Sequence, residues 1–376
     1  MGSHAALSAE IKKHVSIPVT TVGRITEPWI AEELIANGKA DACMIGRANL
    51  CDPEFANKAK EGREDDIRPC IGCLRCLNGI MFGKRVSCTV NPSFELENED
   101  TLKSAEVKKD VLVIGGGVAG MEAAYVAAKR GHHVVLCEAN DELGGALKAA
   151  SVPIGKQDLT RVVKFMKRRL EQMDVDIRYN TAVNEEMLED EFAGYEVIAS
   201  TGAKPIILNN LTGFKQWMSA DDILTGAAFP GRKIVVIGGG SVGCETADYL
   251  APVVHDLYLR NREIIVLEMA KGIMMNESGP GRSLLVQRMM RKGIKMICEA
   301  QVTKVETDKI YYVKDGVEHC INDADTLVFA VGYKSDPGVE EMLKKANVSY
   351  HLIGDAHKVG NIKDAISYGY EIARQL

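Results

Sequence analysis

Twice in 376 residues, the sequence runs a short apolar strand into a glycine-rich turn and then into a helix. The first copy, VLVIGGGVAGMEAAYVAAKRGHHVVLCEA, spans Val111 to Ala139, and the second, KIVVIGGGSVGCETADYLAPVVHDLYLRNREIIVLEM, spans Lys233 to Met269. Val111–Ile114 is an unbroken apolar run, as expected of a strand buried on both faces. The helix beginning near Ala119 carries Lys129 and Arg130 in its last turn and Gly131 just beyond it, a regular helix stop. Two βαβ units with one grammar, about 120 residues apart, predict an α/β chain of two doubly wound domains, since one core rarely organises so long a chain.

Each glycine has a physical task. In Gly115-x-Gly117-x-x-Gly120, the first permits the tight turn, the second lets backbone approach a pyrophosphate, and the third lets helix and strand pack closely. The helix N-terminus then stabilises the negative charge. Glu138 closes the following strand, where a carboxylate can accept hydrogen bonds from both ribose hydroxyls of an adenosine. Gly238-x-Gly240-x-x-Gly243 repeats the pattern with Glu268 in the acidic place. That acid favours a free ribose 2′-hydroxyl and so NADH over NADPH, with Lys271 near enough to temper the preference. Two such sites imply electron transfer between a nicotinamide and a second redox group, most often a flavin.

A third feature is CIGCLRCLNGIMFGKRVSCTVNP, from Cys70 to Pro92, which holds four of the ten cysteines. No apolar export signal opens the chain, so a reducing, cytoplasmic setting is expected and a disulfide framework is disfavoured. Cys70, Cys73, Cys76 and Cys88 are candidate ligands of a [4Fe–4S] cluster, with zinc or no metal as the alternatives. Three close thiols plus a remote one suit a cubane better than two separate zinc knuckles. Thr89 and Asn91 are candidate hydrogen-bond donors near it. Cys43, Cys137 and Cys244 read as core residues, and Cys51, Cys298 and Cys320 carry no spacing signal. Neither glycine motif is followed by a paired-cysteine motif, so a redox disulfide beside a flavin is not expected. Met274-Met275 reads as packing. A net charge of −6 argues against nucleic acid and anionic membranes as partners, and no apolar run is long enough to span a bilayer.

The chain resembles the flavoprotein reductases with two dinucleotide-binding domains. Leu143-Gly144-Gly145 looks like that family's flavin-side loop. Ala199-Ser200-Thr201-Gly202-Ala203 resembles the strand end closing the first FAD segment, and Leu327–Gly332 its counterpart in the NAD domain. Gly354-Asp355 matches the motif whose aspartate hydrogen-bonds the flavin ribityl chain. The resemblance implies a discontinuous FAD domain (105–228 and 337–376) with an NAD(P)H domain (229–336) inserted. Residues 97–110 read as a charged linker.

Upstream, VTTVGRITEP and MIGRANL place Gly23-Arg24 and Gly46-Arg47 after short strands, similar to the last two βα units of a TIM barrel, whose loops bind phosphate. Together with the cysteine segment (66–104), this layout resembles the old yellow enzyme-like iron–sulfur flavoenzymes of the 2,4-dienoyl-CoA reductase, enoate reductase and trimethylamine dehydrogenase type. The resemblance implies the [4Fe–4S] cluster at Cys70, Cys73, Cys76 and Cys88, and FMN phosphate at Gly46 and Arg47. It also implies a route from NADH through FAD and cluster to FMN and a small-molecule acceptor with an activated C=C bond. Residues 1–65 are far fewer than the ~250 of a barrel. Most of the FMN site is therefore expected outside this chain, and a second copy or the remaining barrel to cover the exposed apolar faces. Met1-Gly2-Ser3-His4 looks like a cloning leader, so the natural chain is expected to begin upstream. Two rival readings stay open: an ADP-binding module, as in the trimethylamine dehydrogenase branch, and an electron donor resembling the glutamate synthase small subunit.

Overall fold

A computed structural model describes residues 2–96, 102–251, 262–275, 277 and 280–376. Residues 97–101 of the expected linker lie outside the described residues, as does much of the connection after the second glycine helix. The chain forms two compact units: Met1–Gly145 with Asp158–Gly202 and Pro337–Leu376, and Ala146–Gln157 with Ala203–Asp336.

Unit one is built on a five-stranded parallel sheet in the order Tyr350–Leu352, Glu196–Ala199, Asp110–Ile114, His133–Cys137, Asp176–Arg178. The strand leading into the first glycine turn lies at its centre, and Val111, Leu112 and Val113 are fully buried. Helices must therefore cover both faces. Helix Val118–Lys129 packs so closely on helix Ile362–Gln375 that a Cβ added at Gly369 would lie 2.3 Å from the Ala119 carbonyl oxygen. Helix Asp158–Glu171 presents Leu159, Val162, Met166 and Leu170 to the core, the spacing of one helical face.

Unit two repeats the plan: Lys295–Ile297, Glu263–Leu267, Lys233–Ile237, Thr326–Phe329, Trp217–Ser219, all parallel. A three-stranded antiparallel sheet, Gln301–Val305, Ile310–Lys314 and Val317–Ile321, and a ladder of Ala203–Pro205 with Tyr333–Ser335 complete it. Its first strands lie before residue 229, because Trp217–Ser219 hydrogen-bonds beside Thr326–Phe329 and not in the first sheet. Unit two thus gathers residues 203–228, which the sequence reading assigned to the FAD domain.

The segment before Cys70 belongs to unit one. Helices Ala5–Lys12 and Pro28–Ala36 accompany a parallel pair, Thr20–Thr21 with Ala42–Cys43. Arg24 pairs with Asp158, Glu27 with Arg161, and Asp66 with Arg168 at 2.6 Å, which ties this segment to helix Asp158–Glu171. Leu7, Ile17, Trp29 and Met44 remain more than half exposed. Among the described residues no helix is long and apolar enough to cross a membrane.

Candidate functional site

In unit one, the glycine turn is closed from three sides. Gly115 donates its N–H to the Cys137 carbonyl at 2.8 Å, while the Ser200 hydroxyl donates to the Gly115 carbonyl at 2.7 Å. A Cβ at Gly120 would lie 2.0 Å from the Gly115 oxygen, whereas one at Gly117 would meet nothing within 4 Å. Steric exclusion at the third glycine and open space at the second are what a backbone that receives a pyrophosphate requires. Gly117 is also the N-cap of helix Val118–Lys129, so its free amides face that space.

Glu138 is 6% exposed and accepts the Gly116 N–H at 2.8 Å and the Asn140 N–H at 2.9 Å. The other predicted residues gather round the same helix end. Gly144 donates to the Gly116 carbonyl at 2.9 Å, and Gly145 sits against Gly117. Thr201 and Gly202 follow Ser200 at the strand end beside Gly115. Gly354 lies against Ala119, with Asp355 next to it accepting the Gly360 N–H at 2.9 Å. Burial holds the Asp355 carboxyl above its usual range.

Unit two reproduces this geometry. A Cβ at Gly243 would lie 2.0 Å from the Gly238 oxygen, and one at Gly240 would be free. Glu268 accepts the Gly239 N–H at 2.6 Å and the Ala270 N–H at 2.7 Å. Lys271 is exposed. Met274 donates to the Gly239 carbonyl at 2.8 Å, the place that Gly144 takes in unit one, and holds a left-handed φ of 52°. It is therefore part of the turn as well as packing; Met275 is exposed. Ile273 touches Gly239 as Leu143 touches Gly116.

The four predicted thiols line one cup in unit one, with Arg47 and Thr89 in its wall. Cys73 is exposed; Cys70, Cys76 and Cys88 are half-buried. Arg47, the first residue of helix Arg47–Cys51, faces the cysteines, and its partner Gly46 is that helix's N-cap. The Thr89 hydroxyl lies 3.1 Å from Cys73 Sγ. The Asn91 side chain takes hydrogen bonds from Arg68 and from Ser93 at 2.8 Å, while its backbone amide donates to Cys88.

Cys51, which the spacing did not single out, is fully buried and hydrogen-bonds Cys88. That bond, with the Val90 and Asn91 amides and Arg68, draws the Cys88 thiol down to about 6 against its burial. Burial pushes Cys70 and Cys76 up.

Among the described residues, no three ligating side chains are arranged around a single ion position. A cubane takes one thiolate at each of four irons. Four thiols around one cup, with cationic and N–H neighbours, fit that group.

Comparison with known proteins places this architecture. The family model described as pyridine nucleotide-disulphide oxidoreductase matches residues 158–352, just over half the chain. The chain belongs to that family. Two further models match other parts of the chain: that of FAD dependent oxidoreductases residues 110–201, and that of the NADH:flavin oxidoreductase / NADH oxidase family residues 3–66. The last match identifies the oxidoreductase as old yellow enzyme-like in its first segment.

The oxidoreductase is 37% identical over 371 residues to the cinnamate reductase of Clostridium sporogenes, covering 97% of this chain and 54% of that protein. It is 37% identical over 390 residues to the NADH oxidase of Thermoanaerobacter brockii, covering 100% and 58%. A solved 2-naphthoyl-CoA reductase superposes with a TM-score of 0.92 at 26% identity, covering 100% of this chain and 56% of that one. The chain thus spans about half the length of the curated relatives it matches.

Proposed function

We propose that this chain oxidises NADH at unit two, holds FAD in unit one and delivers electrons to a [4Fe–4S] cluster in the cysteine cup. In the whole enzyme, the route continues to FMN in the barrel and to a small molecule with an activated C=C bond. The observation that carries this reading is the repetition of one acid-terminated glycine turn in both units, with four thiols gathered in a third place. Bound there, the flavin supplies a two-electron acceptor for a nicotinamide, and the cluster a one-electron carrier.

The residues have distinct tasks. Gly117 and Gly240 offer bare backbone to a pyrophosphate, and Glu138 and Glu268 accept the hydroxyls of an adenosine ribose. Gly144, Gly145, Thr201, Gly202 and Gly354 let the chain pass close to the flavin, and Asp355 holds its ribityl chain. Cys70, Cys73, Cys76 and Cys88 ligate the cluster. Cinnamate, named for one relative, is itself an enoate, which supports the C=C acceptor. A reducing, cytoplasmic compartment suits the exposed Cys73.

Anaerobically purified protein tests this reading. Expected are a yellow nucleotide released on denaturation, bleaching by NADH, dye reduction without enoate reduction, and close to four irons and four sulfides per chain. Colourless ADP in place of FAD, or zinc or metal-free thiols in the cup, overturns the corresponding part.

A further inference from the structure

Resting on the cluster reading above, we infer that Thr89 is a positioning residue for the cluster: its hydroxyl donates a hydrogen bond to the sulfur of Cys73 and raises the cluster's reduction potential. Cys73 is the exposed member of the four thiols. Cys73 is therefore the residue of the four most open to water. Thr89 is only 9% exposed, lines the same cup, and places Oγ1 3.1 Å from Cys73 Sγ.

Either atom of a free thiol–hydroxyl pair can donate. A sulfur bound to iron has lost its proton, so in the loaded protein the donor must be Thr89. The hydroxyl is also held in place. Arg75 Nε donates to Ser87 Oγ at 3.0 Å, which fastens residues 87–89 to helix Arg75–Met81, the helix that carries Cys76. Val90 on the other side is buried at 5% exposure. Withdrawal of the backbone at residues 87–90 from Cys73 would need one of these anchors to break.

A hydrogen bond to a ligand sulfur withdraws charge from the cluster and so favours its reduced, more negative state. Serine at this place would keep the bond, and valine would keep the shape without it.

The experiment is an anaerobic redox titration followed by electron paramagnetic resonance, with iron and sulfide measured on each sample. Thr89→Val should lower the midpoint so that the reduced-to-oxidised ratio at a fixed potential falls about tenfold, equivalent to ~59 mV for a one-electron couple. Thr89→Ser should stay close to wild type. If the valine variant fails to assemble its cluster, Thr89→Ala against Thr89→Ser makes the same comparison. A loaded hydroxyl-free variant with the wild-type midpoint overturns the role of Thr89 alone. Wild-type protein that takes up no iron and sulfide overturns the cluster reading, and this inference with it.

Discussion

Glu268 accepts the backbone N–H of Gly239 through one carboxylate oxygen at 2.6 Å. The bond pins the acid to the turn where a ribose would lie. Removing the acid loses charge-assisted hydrogen bonds of about 1.5–3 kcal/mol each. Glu268→Ala should therefore raise the KM for NADH at least tenfold with little change in kcat. Glu268→Arg should turn the preference toward NADPH, whose phosphate the native carboxylate repels. Steady-state kinetics with both nucleotides decides this, and equal use of both by the wild type would count against the assignment.

Gly120 and Gly243 separate the two sites. Each would place a Cβ 2.0 Å from a carbonyl oxygen of its own turn, so helix and strand must move apart. Overpacking of this kind costs about 1–3 kcal/mol. Gly120→Ala should purify with little flavin. Gly243→Ala should retain its flavin but lose bleaching by NADH. Absorbance spectra before and after NADH report both outcomes.

Arg169 and Glu122 form a buried ion pair within unit one, with the guanidinium 3.9 Å from the centre of the Tyr125 ring. Removing one partner leaves a buried charge, which costs about 3–5 kcal/mol. Arg169→Met alone should lower the denaturant midpoint strongly. Pairing it with Glu122→Leu should recover much of the loss, because two apolar groups need no compensation. A double-mutant cycle by denaturant unfolding measures the coupling.

Asp355 predicts a pH dependence of opposite sign to that of most carboxylates. Burial raises its folded-state pKa above 3.8. The native state therefore binds the proton more tightly than the unfolded chain, and stability falls as pH rises through the raised pKa. Asp355→Asn keeps an acceptor for the Gly360 N–H and removes the half-buried charge. The flavin-free variant should match wild type near the ordinary aspartate range and melt higher at neutral pH, while binding FAD more weakly. Melting curves across pH with and without FAD check both arms.

Cys51 predicts a difference among thiols. It touches Cys88 but comes from helix Arg47–Cys51, outside the four-cysteine segment. Cys51→Ala should keep wild-type iron and sulfide, whereas Cys88→Ala should lose both. Equal loss in the two variants would make Cys51 a ligand.

The glycine turns were legible in the sequence because their constraints are local: a few consecutive residues set the contact between the third glycine and the first carbonyl. The place of Glu268 was legible too, since the strand Glu263–Leu267 leads directly to it. Cys51 was not, because its meeting with Cys88 depends on how a separate helix docks. Met274 was hidden for another reason. Sequence reading looks for glycine at left-handed positions, and here a methionine holds φ 52° through its backbone bond to Gly239. Trp217–Ser219 was missed because a strand of three residues has no readable period. The short strands read before Gly23 and Gly46 are two residues each, Thr20–Thr21 and Ala42–Cys43, and among the described residues each pairs only with the other.

The two parallel sheets differ in when their outermost strand is made. In unit two, Trp217–Ser219 precedes the glycine motif, and the last strand needed, Thr326–Phe329, follows before residue 330. In unit one, the outer strand is Tyr350–Leu352, and helix Ile362–Gln375 comes later still. During synthesis, the inserted unit can therefore close while the unit that began first still waits with an open sheet edge. Nascent chains should then shield Glu196–Ala199 last, making that edge the stretch a chaperone meets for longest.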